Sequence, residues 1–199
     1  GVISPPKAIT KSINKQTNKI FETTIKNLVK IKRPYNGILY LGGIIVNGKV
    51  YIIEYNARWG EPEAQCILPS IENDYYNLVI QALEGKIFKV QKDNQERIVV
   101  TVAAKGYPDD STKALGKEIR GFQKLLENKN IHITGTRGIV KDNKYFSGGS
   151  RLFYVMAEGK NIIKARKKAY DALSKAITEK KYLHFREDIG WRDLKRINK

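Results

Sequence analysis

Asn47-Gly48 lies between two apolar runs, Ile38–Val46 and Lys49–Asn56. No other pair of residues constrains this chain as much. A two-residue hairpin turn of type I′ needs positive φ at both central positions, and Asn-Gly meets that demand at little steric cost. Fixing the turn fixes the register, and the register decides which side chains share a face. Alternate residues of a strand point the same way. Glu54 and Asn56 therefore share a face, joined by Arg58 if the strand runs that far, while Ile53 and Tyr55 are expected to pack behind it. Carboxylate and amide oxygens are hard ligands that suit Mg²⁺, which takes one or two protein ligands and completes its shell with water and nucleotide phosphates. An arginine beside them can grip a phosphate with a rigid fork of donors. By periodicity alone, the same spacing also fits an edge strand with a solvated polar face and a plain Glu54–Arg58 surface pair.

Around the hairpin, residues 1–10 read as a loop. Lys11 to about Lys32 has helical period, with Ile13, Ile20, Phe21, Ile25, Leu28 and Val29 near one stripe. Glu72–Glu84 reads as a helix stopped by Gly85. Residues 86–97 are polar and aperiodic, a plausible boundary. Ile98–Ala104 is an apolar strand followed by the loop KGYPDDSTK. Short strands are expected over 131–136, 137–141 and Leu152–Ala157, and an amphipathic helix from Asn161 to about Lys180 whose lysines form its wet face. His132, on an apolar strand, reads as a core histidine.

The chain has 199 residues, enough for one large or two small domains of about 150 residues or fewer. An apolar content of 41% with 29% charged residues fits a globular protein. No apolar run nears the roughly 20 residues that cross a bilayer, and GVISPPKAIT has no apolar signal core. Cys66 is the single cysteine, set among apolar neighbours, so it reads as a small buried hydrophobe. A reducing cytoplasm is the expected compartment. The net charge of +17 would attract polyanions, but the basic residues are scattered and no nucleic-acid motif accompanies them. A chain opening on Gly1 and a Ser4-Pro5-Pro6 turn is expected to be part of something longer.

The stretch YNGILYLGGIIVNGKVYIIEYNARWGEPEAQCILPSI resembles the phosphoribosylamine–glycine ligase family of ATP-grasp enzymes, whose pattern is G-[VI]-L-Y-x-G followed by [IL]-E-[FY]-N-x-R-F-G-D-P-E-x-Q-x-[LI]-L-P. AAKGYPDDSTK, IHITGT, SGGSRLFYV and FREDIGWR resemble further family segments in the same order, so the resemblance spans the chain. It implies an α+β fold: the C-terminal half of an ATP-grasp domain, an antiparallel sheet with helices, over residues 1–90, then a small mixed C-terminal domain over 97–199. It implies ATP-dependent ligation of glycine to 5-phosphoribosylamine, with Mg²⁺ or Mn²⁺ and ATP. Glu54 and Asn56 match the metal ligands, and Arg58 the arginine that meets phosphate. Gly60, Glu61 and Pro62 match the loop beside the glycine site. Lys105, Gly106, Tyr107, Pro108, Gly149 and Arg151 match loops that face the active site and hold the ribose phosphate. The expected partners are these substrates and the N-terminal part of the same enzyme, which leaves this chain inactive alone. A monomer is expected, with neither membrane nor nucleic acid as partner.

The sequence departs from the pattern at Glu61 (Asp in the family), Trp59 (Phe), Ser150 (Gly) and Ile133 (His). Two other readings compete. One is a related ATP-grasp ligase or carboxylase of purine synthesis. The other is a non-catalytic basic module on an ATP-grasp-like scaffold that binds RNA or another polyanion.

Overall fold

The computed structural model describes residues 1–86, 88–135 and 137–197. In chain order, the first half holds β1 (Val2–Ser4), α1 (Lys11–Lys30), β2 (Tyr40–Val46), β3 (Lys49–Asn56), α2 (Glu63–Ile67) and α3 (Tyr75–Leu83). The second half holds β4 (Glu96–Ala104), α4 (Phe122–Leu126), β5 (His132–Thr134), β6 (Gly138–Lys141), β7 (Lys144–Ser147), β8 (Arg151–Gly159), α5 (Ile162–Ala176), β9 (Leu183–His184) and α6 (Trp191–Ile197). Every strand pair among the described residues is antiparallel. The fold is thus α+β.

β4 and β8 are the long middle strands of the five-stranded sheet. Both are almost wholly buried, which suits their continuous apolar sequences. β5 flanks β8, while β1 and β9 pair with opposite ends of β4. One face carries Ile98, Val100, Val102, Phe153 and Val155 against α5, whose Ala165, Ala169, Ala172 and Leu173 are buried. The small residues let the helix sit close to the sheet. Phe122 of α4 stacks on Tyr145 at 4.1 Å between ring centroids and meets Phe153 edge-on. On the other face, α2 buries Cys66 against Val99, Tyr154 and Met156.

Local chemistry explains the boundaries. Thr10, Asp74 and Asn161 cap α1, α3 and α5, each accepting a backbone N–H three residues on. Asn47 and Gly48 both have positive φ, as do Asp142 and Asn143 in the β6–β7 turn. α1 lies on the β2–β3 hairpin: Gln16 donates to Gly48 O (2.9 Å) and accepts from Val50 N (3.1 Å).

Several expectations are corrected. Residues 1–10 include a strand, β1, whose three residues are too few to show a period and whose identity comes from pairing with β4. Ile53 does not pack behind the polar face: it is 68% exposed, and Tyr55 is exposed too. A register shift opposite Gly42 and Gly43 leaves Ile53 without a cross-strand partner, and Tyr55 reaches out to Thr24 at 2.8 Å. Val29 of the expected α1 stripe is exposed, because only one short hairpin lies against that helix among the described residues. His132 is exposed, not core, since β5 is an edge strand whose alternate residues leave the packed face. The expected 131–136 strand is observed over His132–Thr134; Thr136 lies outside the described residues. No described helix is long and apolar enough to cross a membrane.

Arg97 is only 2% exposed, yet it is charged. It donates to Asp93 Oδ1 (2.8 Å), Glu158 Oε2 (2.7 Å) and Pro69 O (3.2 Å). Such a buried cation is tolerated only when paired and hydrogen-bonded. The hydrogen bond from Arg97 in turn holds the Asp93 carboxyl below its usual range, against the opposing effect of burial. A depressed carboxyl stabilises the fold above its unfolded pKa, near 4, and that stabilisation fades as pH falls through the lower folded value. Urea unfolding of Asp93→Asn is therefore expected to show a loss of about 3 kcal/mol at pH 7. The variant's deficit against the unsubstituted chain should shrink at pH 3.

Candidate functional site

The hairpin turn sets the first part of the site. Register pairs Gly42 with Glu54 and Tyr40 with Asn56. A Cβ on Gly42 would lie 2.9 Å from Glu54 Cγ, so only glycine lets the Glu54 side chain lie across β2. Asn56 Nδ2 donates to Glu54 Oε1 at 2.8 Å, so the two side chains share a face as the alternation requires. Arg58 is not reached by strand alternation. β3 ends at Asn56, the chain bends, and Arg58 Nη1 donates to Trp59 O at 3.0 Å. Tyr40, which the sequence did not single out, lies among these charges. Its hydroxyl is 3.4 Å from Glu63 Oε1. Burial, then the charge and hydrogen bond of Glu63, then the charge of Glu54, raise the phenol's pKa, while Arg58 works against them.

The donor set fits a hard divalent cation. The amide nitrogen of Asn56 is engaged by Glu54, so Glu54 Oε2 and Asn56 Oδ1 are the two oxygens that remain, the number Mg²⁺ takes from a protein when phosphates and water complete its shell. No cluster of three or more His, Cys, Asp or Glu side chains suited to a metal occurs among the described residues.

The loop after β3 ties the hairpin to the central sheet. Gly60 is buried, and a Cβ there would meet Glu63 Oε2 at 2.4 Å and Tyr40 Cε2 at 2.7 Å. Glu61 reaches into the sheet: its carboxylate accepts from Tyr154 Oη and faces Arg151 Nη2 at 3.9 Å, while Arg151 Nη1 donates to Glu61 O at 3.3 Å. Burial first, and the hydrogen bond to Glu61 second, raise the Tyr154 phenol well above its usual range.

Beside this junction lies a cleft of about 240 Å³ at the C-terminal end of β4. Pro62, Tyr107 and Arg151, expected from three separate segments, meet there, and Thr101 and Ala103 form its floor. His184 and Arg186 also line it and were missed. Arg186 lies within the FREDIGWR resemblance, which marked a segment but no residue, and His184 lies just before it. Lys105, Gly106, Pro108 and Gly149 are not among the lining residues. Among them, Gly106 has φ +94° with Asp110 O only 1.8 Å from where a Cβ would be, and Gly149 N donates to Ser147 Oγ at 3.1 Å.

The chain's similarities follow this division. Residues 1–64 match the family model of the phosphoribosylglycinamide synthetase ATP-grasp (A) domain, and residues 97–192 match that of the phosphoribosylglycinamide synthetase C domain. The chain belongs to the phosphoribosylglycinamide synthetase family. It is 33% identical over 198 residues to a phosphoribosylamine–glycine ligase of Leptospira interrogans, covering 98% of this chain and 45% of that protein. It is 32% identical over 198 residues to the bovine trifunctional purine biosynthetic protein adenosine-3, of which it covers 19%. The crystal structure of the Thermotoga maritima phosphoribosylamine–glycine ligase superposes with a TM-score of 0.71 at 29% identity, covering 94% of this chain and 45% of that one. N5-carboxyaminoimidazole ribonucleotide synthetase from Thermus thermophilus, at 14% identity and a TM-score of 0.54, shares the fold. The chain thus spans under half the length of the ligases it matches.

The family pattern has Gly where this chain has Ser150. Ser150 keeps the left-handed backbone, φ +60°, and its N–H donates to Ser111 Oγ at 3.1 Å. The loop ahead of Arg151 therefore retains a glycine-like path with a side chain present. Left-handed backbone costs an L-residue about 1–2 kcal/mol. Ser150 already bears that cost, and a β-branched residue fits the region worse still, so by thermal or urea unfolding Ser150→Val is expected to lose about a further 1 kcal/mol, whereas Ser150→Gly should be neutral or slightly stabilising, its strain relief offset by greater unfolded-state freedom.

Proposed function

We propose that this chain provides the metal-and-phosphate wall of a phosphoribosylamine–glycine ligase, an ATP-dependent carbon–nitrogen ligase. Family membership and the similarity to named ligases support the reaction class. The observation that carries the assignment of residues is the loop from Gly60 to Glu63. It begins beside the Glu54–Asn56 pair and reaches, through Glu61, the arginine of the cleft. Two substrates that must react are thereby held by neighbouring parts of one chain.

In the proposed reaction, a glycine carboxylate oxygen attacks the γ-phosphorus of ATP and ADP leaves. The amine nitrogen of phosphoribosylamine then attacks the acyl carbon, inorganic phosphate leaves, and the amine gives up a proton. Magnesium or manganese, held by Glu54 and Asn56 Oδ1, would neutralise charge on the triphosphate. Arg58 turns its guanidinium toward the same phosphates once it releases Trp59 O. Arg151 grips the phosphate of the amine substrate, steadied by the Glu61 carbonyl, and Tyr107 and Pro62 close the sides of the cleft. Most of the catalysis is positioning and charge neutralisation, as in other phosphoryl transfers.

Residues outside these 199 complete the site in this proposal. The hairpin leaves Ile44, Tyr51, Ile52 and Ile53 exposed, and the matched ligases are more than twice as long. The experiment is ADP release by the longest native polypeptide that carries this sequence, with Mg²⁺, glycine and fresh phosphoribosylamine. Release should require both substrates and fall about 100-fold or more in Glu54→Gln, the scale seen when one preorganised electrostatic group is removed. Release independent of glycine and phosphoribosylamine, or unchanged in Glu54→Gln, would refute the assignment.

A further inference from the structure

Among the described residues, His184 Nδ1 is one of four buried side-chain polar atoms with no hydrogen-bond partner. Its place in the sheet gives that fact a use. Ala103 of β4 pairs with His184 of β9 on one side and with Arg151 of β8 on the other. The Arg151 pairing follows a register shift between Val102 and Ala103, which re-aims Arg151. In-register neighbours on adjacent strands share a face, so His184 and Arg151 stand on either side of the small Ala103 floor, about 10 Å apart at Cα for two strand spacings. Both line the cleft.

The enclosed Nδ1 also fixes the tautomer. A buried N–H with no acceptor is the more costly orphan, since a bare lone pair loses less. The proton therefore sits on Nε2. That nitrogen makes no hydrogen bond among the described residues and is not enclosed, so it faces open space in the half-exposed side chain. The cleft thus offers a guanidinium at one side and an imidazole N–H donor at the other. Gly1 also lines the cleft, and the second side-chain cation there, Arg186, is occupied by a two-point contact with Asp188, both bonds 2.8 Å.

We propose that His184 reads a sugar hydroxyl oxygen of the phosphorylated pentose, while Arg151 holds its phosphate. This rests on the functional proposal above and adds a specificity-determining residue to it. A single N–H donor across the floor from the arginine suits a hydroxyl oxygen, whereas phosphate is matched by the fork of donors that Arg151 already presents.

The test compares ribose 5-phosphate with inorganic phosphate as ligands of the longest native polypeptide, by calorimetric titration. His184→Phe keeps a ring against the floor and removes the donor; His184→Gln keeps a donor. The expected result is a loss of about 3- to 10-fold in ribose 5-phosphate affinity for His184→Phe, the scale of one net hydrogen bond. Phosphate affinity should be unchanged, and His184→Gln should recover most of the loss. Equal weakening of both ligands would place His184 on the phosphate and overturn the inference. Unchanged ribose 5-phosphate binding in both variants would overturn it as well. An unsubstituted protein that binds phosphate but gains nothing from the sugar would also count against His184. An unsubstituted protein that binds neither ligand would instead remove the functional proposal on which it rests.

Discussion

The pairing of β4 with β8 is the interaction on which the rest of the molecule depends. Nearly every residue of both strands is buried, so the pair stays dry only if each face is covered. α5 covers one face with alanines and Leu173, and α2 covers the other with Cys66. The edges are then extended by β1, β5 and β9, each too short to persist alone. The functional geometry follows from the same pairing. Its one irregularity, between Val102 and Ala103, sets Arg151 across from the residue that also faces His184.

The hairpin is a lighter structure attached to this frame. Two strands with one helix against them bury little, and many of its large apolar residues are exposed. Its orientation relative to the cleft is set by polar contacts instead. Glu61 is the main one, touching Tyr154 and Arg151 at once. This gives a physical role to the extra methylene at a position where the family pattern has Asp. The longer side chain spans from the hairpin loop to the buried phenol of the sheet. Arg151 is consequently a shared residue, with one face of its guanidinium on the loop that follows the metal-type ligands and its place in the cleft fixed by the sheet.

Features with local causes were legible in the sequence. Asn47-Gly48 specifies its turn by backbone sterics alone, so the hairpin, and the common face of Glu54 and Asn56, could be read directly. β4, β8 and α5 were visible as apolar runs and helical period, because burial on a fixed face writes itself at fixed spacing. β1 and β9 were not, since two or three residues carry no period and become strands only through β4. Ile53 and Arg58 failed for a related reason: a register shift exposes the first, and a bend after Asn56 takes the second off the strand. The cleft was legible only in pieces. Pro62, Tyr107 and Arg151 came from separate stretches of a family pattern, and nothing in their spacing says they meet. His184 and Arg186 had no signal of their own, because their neighbours are chosen by strand register rather than by sequence.

The central claim is that a metal-bound triphosphate on the Glu54–Asn56 face stands over a sugar phosphate held at Arg151. The most direct measurement is the crystal structure of the longest native polypeptide with a non-hydrolysable ATP analogue, Mn²⁺ and ribose 5-phosphate, located by the anomalous signal of manganese. The account predicts manganese bonded to Glu54 and Asn56 Oδ1 at about 2.0–2.2 Å, as for a small hard divalent cation, with the sugar phosphate on Arg151 in the β4-end cleft. Manganese bound away from both residues, or a sugar phosphate seated outside that cleft, would contradict it.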